Sequence, residues 1–264
     1  MRIAFIFILA LMVAIGASPS QESSPAAAQS PKQSSTKKKP TPEEIIQQFS
    51  EKETAFYEAW MQYMYTQTTE IRVRSVNGER RNEVLKIVSE VVFKDDGTRE
   101  VKTLRHSDGL RSIGMTKEDK EILENLHPFA LTAKDIPLYT LTYIGKERAD
   151  ELECYLFSVK PKKIKKGQLY FEGKIWVDDQ DLQIVKTVGK PVPQKINNQF
   201  PEFETIRQSI DNQFWFPVWT HADSELYFRE DVIRVEETIT YDNYKKFRAT
   251  AKILSATPVE DEEK

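Results

Sequence analysis

The sequence predicts an α+β protein that is mainly β, with an antiparallel sheet of about ten strands and two helices packed against it. Three observations predict this class. One long segment after residue 40 repeats apolar residues with helical spacing, and one shorter segment near residue 120 has helical start and stop signals. Most of the remaining chain alternates apolar and polar residues. Turn residues separate these alternating segments closely, which favours antiparallel neighbours.

The first residues have the order of a secretory signal: an arginine, an apolar run and small residues ending at Ala17. We predict a signal peptide at 1–17 that is cleaved, and hence an exported, periplasmic protein. The only cysteine is Cys154, so neither a lipid at the cleavage point nor an internal disulfide is expected. Residues 18–40 are rich in Ser, Pro and Lys and predict a disordered leader. A single domain is expected at 41–256, followed by an acidic tail at 257–264.

Two segments have helix signals. Thr41, Pro42 and Glu44 form a capping pattern that predicts the start of an amphipathic helix of about 20 residues. Its apolar stripe consists of Ile45, Phe49, Phe56, Trp60 and Tyr63. A second helix is expected from Thr116, capped with Asp119 and stopped by Pro128. The apolar face of that helix consists of Ile122, Leu123 and Leu126.

The strands follow from alternation. Ile71 and Val73 alternate with charged neighbours, and the dipeptide Asn77-Gly78 predicts a hairpin after them. Further strands are expected at 83–93, 98–106, 138–146, 153–160, 202–210, 213–221 and 232–241, with a hairpin inside 169–187.

The hairpin "LYFEGKIWVDDQDLQIVKT" has three aspartates at its tip, Asp178, Asp179 and Asp181. A calcium loop would need a following glycine and a distant glutamate, which are missing, so the aspartates indicate a turn. A symmetric turn pairs Val177 with Leu182 and Ile175 with Ile184. One face then carries Phe171, Ile175, Val177, Leu182 and Ile184, and the other carries Tyr170, Glu172, Lys174, Trp176, Gln183 and Val185.

Residues that could perform chemistry are sparse. His106, His127 and His221 show no metal-ligand spacing, and Cys154 lies in a strand, where a small buried side chain is expected. No nucleophile elbow, phosphate loop or dinucleotide fingerprint occurs. We therefore expect no enzyme, no cofactor and no metal, although a hydrolase assembled from distant strands stays open. The net charge of −3 gives no case for nucleic-acid binding.

Five lysines crowd one loop: Lys160, Lys162, Lys163, Lys165 and Lys166. They indicate either a solvated hairpin loop or an electrostatic contact with anionic lipid headgroups or an acidic partner.

The strand "NQFWFPVWT" is apolar on both faces, with Phe214, Phe216 and Val218 on one and Trp215 and Trp219 on the other. Pro217 inside it indicates an edge strand or a bulge. Two apolar faces imply that both are covered or that one lines a cavity.

The chain has, in this order, a predicted export signal, a first helix, a strand meander and a short helix. The segments "GKIWVDDQDLQIVKTVGK", "FWFPVWTHAD" and "ITYDNYKKF" follow them. This pattern, from about residue 41 to about residue 250, resembles the outer-membrane lipoprotein-sorting proteins and their LolA/LolB-like lipoprotein carriers. The resemblance implies a strongly curved, unclosed half-barrel whose concave face is covered by two helices. It also implies a hydrophobic cavity between helices and sheet, without catalysis.

On this resemblance we expect a monomeric periplasmic carrier or chaperone that binds lipid or acylated protein in lipoprotein sorting. Thr116–Phe129 is the expected lid, and an inward arginine could hold it closed; Arg72, Arg74, Arg80 and Arg81 are the candidates. The alternative is a structural or regulatory protein-binding module whose concavity is filled by its own side chains. The residues expected to line the cavity are Phe56, Trp60, Ile71, Val73, Leu123, Leu126, Phe171, Ile175 and Ile184.

Overall fold

The structure, a computed structural model, describes most of the predicted domain. The described residues are 39–75, 82–94, 98–107, 109–110, 116–122, 128–195, 199–210, 212–227 and 232–246. The predicted signal peptide, nearly all of the leader and the acidic tail lie outside them, as do Asn77-Gly78, Arg80, Arg81, Leu123, Leu126 and His127. No helix within these ranges is long and apolar enough to cross a bilayer.

Ten strands and two α-helices make up the described chain. The elements in order are α1 Pro42–Trp60, β1 Tyr63–Ser75, β2 Asn82–Phe93, β3 Arg99–His106, α2 Lys117–Glu121, a 3-10 helix Ile136–Leu138, β4 Tyr139–Ala149, β5 Leu152–Pro161, β6 Tyr170–Asp178, β7 Ile184–Val192, β8 Phe203–Ser209, β9 Trp215–Tyr227 and β10 Val232–Lys246.

The strands form one antiparallel sheet in the order β3-β2-β1-β10-β9-β8-β7-β6-β5-β4. Strands β1 to β3 and strands β4 to β10 each follow their chain order in the sheet, and β1 joins the two runs because it pairs with β10 over its whole length. The ends β3 and β4 do not pair, so the half-barrel is unclosed. The predicted class, α+β and mainly β with about ten strands, is confirmed.

Helix α1 begins as its sequence predicts. The Thr41 amide donates to Glu44 Oε2 at 2.8 Å, and the Glu44 amide donates to Thr41 Oγ1 at 3.2 Å, which completes the capping box. Ile45, Phe49 and Phe56 are buried on the face that meets the sheet. Tyr63, predicted as the end of the helical stripe, is instead the first residue of β1.

We call the side of the sheet that faces α1 the inner face. The buried apolar residues on this side of the sheet, from the strands and from the helices and loops that cover them, form three groups. The large cluster consists of Ile45, Phe49, Ile122, Phe129, Leu131, Tyr139, Phe157, Val159, Tyr170, Phe171, Ile175, Val177, Ile184, Val192, Phe200, Phe203 and Ala222. The aromatic cluster consists of Phe56, Trp60, Tyr63, Tyr65, Val91, Phe93, Phe216, Ile239 and Tyr241. The end cluster consists of Val73, Leu226, Ile233 and Val235.

A fourth group lies on the outer face, where Cys154, Leu156, Trp176 and Val185 are buried together. Trp176 donates its Nε1 proton to Glu147 at 3.1 Å and lies under the Lys186 ammonium. Cys154 has no exposed surface, and burial raises the pKa of its thiol to about 11. The predicted burial of Cys154 in a strand is confirmed.

The turn between β6 and β7 differs from the symmetric turn predicted. Val177 pairs with Ile184, and Ile175 pairs with Thr187, so the predicted partners were wrong. The Asp178 carboxylate accepts the amides of Gln180 and Asp181 at 3.1 and 2.6 Å, which lengthens the loop. At Val177 the partner moves by two residues, which keeps Ile184 on its predicted face. A bulge between Trp176 and Val177 then shifts the register by one more residue, so Thr187 lies opposite Ile175.

The predicted inward residues of this hairpin therefore still face α1. Phe171, Ile175, Val177 and Ile184 have no exposed surface, and Leu182 packs against the large cluster. Tyr170 was predicted on the outer face but belongs to the large cluster. Its ring lies 6.4 Å from that of Tyr139, next to the sheet edge.

Pro217 marks a bulge. The β8–β9 register shifts between Ile206 and Arg207, where Arg207 pairs with Pro217. Because β9 lies between β8 and β10, the bulge alternative is confirmed and the edge alternative is wrong.

Candidate functional site

A buried ion pair lies between α1 and the inner face of the sheet. Arg207 of β8 holds Glu53 of α1 through three contacts, at 3.0, 3.1 and 3.2 Å, and the two side chains are 2% and 0% exposed. The Ile184 amide donates to Glu53 Oε1 at 3.1 Å, and Arg207 also donates to the Phe129 carbonyl. One charge pair thus links α1, β7, β8 and the chain that follows α2.

Burial raises the pKa of the Glu53 carboxyl, while the Arg207 charge and the Ile184 hydrogen bond act in the opposite direction. The Arg207 guanidinium also lies 4.5 Å above the centre of the Phe56 ring. Sequence reasoning missed both residues. The available signals were a glutamate at helical spacing within an apolar stripe and an arginine in the inward alternation of Phe203, Thr205 and Arg207.

The expected arginines lie elsewhere. Arg72 and Arg74 of β1 are on the outer face, with side chains 41% and 53% exposed, and pair with Glu70 and Glu236. Arg207, on a late strand, is the arginine that bonds the last residue of the predicted lid, Phe129.

The predicted cavity residues fall into different clusters. Phe171, Ile175 and Ile184 lie in the large cluster, while Phe56 and Trp60 lie in the aromatic cluster. Val73 lies in the end cluster, and Ile71 packs against it. Leu123 and Leu126 lie outside the described residues. The described residues of this set are therefore divided among three clusters, with two or three in each, and each of them is packed against its neighbours.

Beneath the second half of α1, aromatic rings fill the inner face. The Phe56 ring lies 5.6 Å from Phe216, and the Trp60 ring lies 5.6 Å from Phe93 and 6.1 Å from Tyr65. Trp60 is 4% exposed. These contacts have the spacing of packed aromatic pairs, so α1 and the sheet meet directly here.

Between the aromatic cluster and the end cluster, the inner face of the sheet carries a polar band. Gln67, Thr69, Ser89 and Glu237 are buried there, and Gln67 donates to Thr69 at 3.2 Å. Burial, assisted by the negative charge of Asp119 in α2, raises the pKa of Glu237 to about 8. A purely hydrophobic interior, as the resemblance implies, does not extend to this part of the sheet.

A pocket of about 480 Å³ opens beside α2, between the β5–β6 loop and the segment after β7. We call it the lysine-rimmed pocket. Its charged lining is four lysines and two glutamates, which sum to a charge of +2: Lys117, Lys165, Lys166, Lys195, Glu118 and Glu121. Its apolar lining is Ile164, Leu169, Pro193 and Phe200.

The apolar floor of this pocket is continuous with the core. Phe200 is 5% exposed and belongs to the large cluster, and Leu169 packs against that cluster. The Gln194 side chain holds Phe200 in place, because it accepts the Phe200 amide at 2.8 Å and donates to the Phe200 carbonyl at 3.1 Å. Sequence reasoning found Lys165 and Lys166 but missed Lys117, Lys195 and Phe200, which only the fold brings to the same place.

Other charged groups have local structural partners. Asp179 binds Lys146 at 2.5 Å, and Asp181 accepts the Trp215 indole at 3.1 Å, so the aspartates of the hairpin serve its turn and its neighbours. A groove of about 440 Å³ on the outer face is lined by Arg72, Arg74 and Lys86, which pair with Glu70 and Glu236. Across the described ranges, no three His, Cys, Asp or Glu side chains are placed to hold a metal ion.

No family model and no curated protein sequence matches this chain. Among solved structures, it is similar to an outer membrane lipoprotein-sorting protein domain from Vibrio parahaemolyticus, with 12% identity, 76% of this chain and 90% of that one covered, and a TM-score of 0.40. A DUF1329 family protein from Desulfovibrio piger is 15% identical, with 73% of this chain and 92% of that one covered and a TM-score of 0.37. A LolA superfamily protein from Nitrosomonas europaea is 13% identical, with 80% of this chain and 97% of that one covered and a TM-score of 0.32.

These similarities agree with the resemblance that the sequence predicted. Because the identities and TM-scores are low, they transfer neither a ligand nor a partner to this chain.

Proposed function

We propose that this chain is an exported, non-catalytic binding protein that takes up an acyl chain with an anionic head in the lysine-rimmed pocket. The ligand class is a free fatty acid, an acidic lipid or an acylated protein with acidic residues beside its acyl group. The observation that carries the proposal is the composition of the pocket: an apolar floor of Leu169 and Phe200 that continues into the core, below a rim with four lysines.

The size and chemistry of the pocket suit such a ligand. Its volume of about 480 Å³ falls within the range of about 300–1,000 Å³ that small-molecule sites occupy. Each buried methylene of an acyl chain contributes about 0.8 kcal/mol. The excess positive charge at the rim favours a carboxylate or phosphate head and disfavours a cationic one.

The position of the pocket also suits uptake and release. The volume beneath α1 is already occupied by aromatic side chains, so a ligand in the lysine-rimmed pocket leaves α1 in place. One wall of the pocket is the short helix α2, which begins with a capping box between Thr116 and Asp119 and is followed by Ile122 of the large cluster. A wall of only five helical residues can move at smaller cost than a long packed helix, as carriers require.

A second candidate function is a structural or regulatory protein-binding module with a filled core. The observation that favours it is the direct contact of Phe56 and Trp60 with the sheet. In this case the lysine-rimmed pocket would be a surface feature without a ligand.

The two candidates are separated by binding of a fluorescent fatty acid to the mature domain. We expect saturable uptake, and we expect the double variant Lys165→Gln/Lys166→Gln to bind about 10-fold more weakly, because about 1.4 kcal/mol of attraction to the head group is lost. The matched control is Lys162→Gln/Lys163→Gln, which removes the same charge from the same loop outside the pocket.

The control variant should bind like the wild type, and an uncharged fatty alcohol should bind both double variants equally. Absence of uptake, together with no lipid retained by the purified protein in native mass spectrometry, would favour the filled module. Equal weakening by both double variants would show that the loop charge acts at long range and not in the pocket.

A further inference from the structure

Strand β4 is one end of the open sheet and has β5 as its neighbour. The Lys162 amide donates to the Leu138 carbonyl at 2.8 Å, so residues 138 and 162 are a hydrogen-bonded position of the β4–β5 ladder. In an antiparallel ladder the bonded positions alternate, so Thr140 and Thr142 bond to β5. The backbone groups of Leu141 and Tyr143 therefore point away from the sheet. Among the described residues, nothing is hydrogen bonded to them.

The two halves of this edge are protected differently. After Tyr143 a bulge at Gly145 shifts the register, and Lys146, Glu147 and Arg148 follow. Bulges and charges of this kind prevent strands from pairing edge to edge. The first half, "YTLTY" at 139–143, has neither device and consists of residues that favour strands. Tyr143 within it is 38% exposed, and the apolar residues that flank it, Leu138 and Ile144, are 42% and 51% exposed.

The opposite edge of the sheet has a different character. Strand β3 is shorter, at 8 residues against 11, and nearly all of its residues are exposed. It carries Arg99, Lys102 and Arg105 along its length, so charge protects it throughout. On β4, by contrast, Tyr139 is part of the large cluster and Leu141 packs against it, so a further strand there would extend the core.

We propose that residues 139–143 of β4 form a docking edge for an extended segment of a partner protein, which adds an eleventh strand to the sheet. Side chains opposite Leu141 and Tyr143 would lie on the inner face beside the large cluster, and these positions require apolar residues. Positions opposite Thr140 and Thr142 lie on the outer face and accept polar residues.

Charge specifies one end of the partner segment. Lys160 pairs with Thr140 across the ladder, and Lys162 and Lys163 follow directly in the loop. All three lysines are exposed beside the start of β4. The segment should therefore carry acidic residues where it passes Tyr139.

The same lysines argue against a second copy of this chain as the occupant. Antiparallel self-pairing would place the lysines of one copy beside Lys146 and Arg148 of the other. Parallel self-pairing would place the two lysine clusters side by side. The parallel arrangement brings unpaired like charges together, and the antiparallel one does so less strongly, because Lys146 is paired with Asp179 and Arg148 with Glu153.

The probe is a synthetic peptide of alternating isoleucine and threonine with glutamates at one end, N-methylated at every threonine. Only one edge of the peptide can then pair with β4, and that edge carries the unmethylated isoleucine amides. Residue-resolved amide exchange by NMR supplies the readout. In the free protein, Thr140 and Thr142 should be protected and Leu141 and Tyr143 should exchange rapidly. With the peptide, Leu141 and Tyr143 should become protected by at least about 10-fold.

The matched control is the same peptide N-methylated at the isoleucines, which should not protect these amides. A peptide with lysines in place of glutamates should bind about 5-fold more weakly at low salt. The proposal is overturned if Leu141 and Tyr143 are already protected in the free protein, as self-pairing would also cause. It is equally overturned if the probe does not bind, or if it binds without protecting these two amides.

Discussion

Glu53 of α1 and Arg207 of β8 form an ion pair at 3.0 Å in the interior of the half-barrel, with side chains 0% and 2% exposed. Buried charges are tolerated when they are paired and hydrogen bonded, and here the Ile184 amide and the Phe129 carbonyl complete the network. The pair fixes the position of α1 on the sheet, because Glu53 reaches Arg207 and the Ile184 amide only when α1 lies at this position along the strands.

Removal of one partner should be costly. We expect Glu53→Leu or Arg207→Met to lower the free energy of unfolding by about 3–5 kcal/mol, because each leaves a buried charge without its partner. The double variant should lose clearly less than the sum of the two single losses. Urea unfolding of all four proteins measures this. The exposed pair Arg74–Glu236 is the control, and Arg74→Ala should cost about 1 kcal/mol or less.

The sequence reveals the parts of this fold that depend on local chemistry. The capping box of Thr41 and Glu44 and the alternation of the strands act over a few residues, so the helix start and the strand count were predicted correctly. The face assignment of Ile175 and Ile184 also held, although their pairing partners were wrong, because the side chain of Asp178 reshapes the turn.

Contacts between distant segments could not be predicted in the same way. Glu53 and Arg207 are 154 residues apart, and each in isolation resembles an ordinary surface charge. Lys117, Lys165 and Lys195 come from three separate loops or helices, and only the packing of α2 beside β6 and β7 gathers them around Phe200. Because the fold assembles the candidate site from distant segments, local sequence patterns revealed only Lys165 and Lys166.

Phe56 and Tyr57 test whether the inner face beneath α1 is filled. Phe56 has no exposed surface and contacts Trp60 and Phe216, whereas Tyr57 is 40% exposed. Phe56→Ala should lower the free energy of unfolding by about 3–5 kcal/mol, because it opens a cavity in packed rings. Tyr57→Ala should change it by about 0.5 kcal/mol. Equal, small losses in denaturant unfolding would indicate a loosely packed interior.

Glu237 should make stability depend on pH. Burial, assisted by Asp119, raises its pKa from 4.5 to about 8. Between these two values the folded protein retains a proton that the unfolded chain has released, so stability should fall as pH rises. Below about pH 4.5 the contribution is fully present, and above about pH 8 it is lost.

The measurement is the thermal unfolding midpoint across this window for the wild type and Glu237→Gln. The variant should show a flatter dependence, because its side chain does not titrate. The control Glu236→Gln removes a charge from the neighbouring position on the outer face and should keep the wild-type slope, because Glu237 remains. An unchanged slope in Glu237→Gln would assign the pH dependence to other groups.

The claim that the acyl ligand occupies the lysine-rimmed pocket, and not the space beneath α1, is tested most directly by photo-cross-linking. A fatty acid with a diazirine near the end of its chain is bound, irradiated and mapped by mass spectrometry of the digested protein. We predict adducts at Ile164, Leu169 or Phe200, and a loss of adducts in Lys165→Gln/Lys166→Gln. Adducts concentrated at Phe56, Trp60 or Phe216 would contradict the account, because they would place the ligand where the structure has packed aromatic rings.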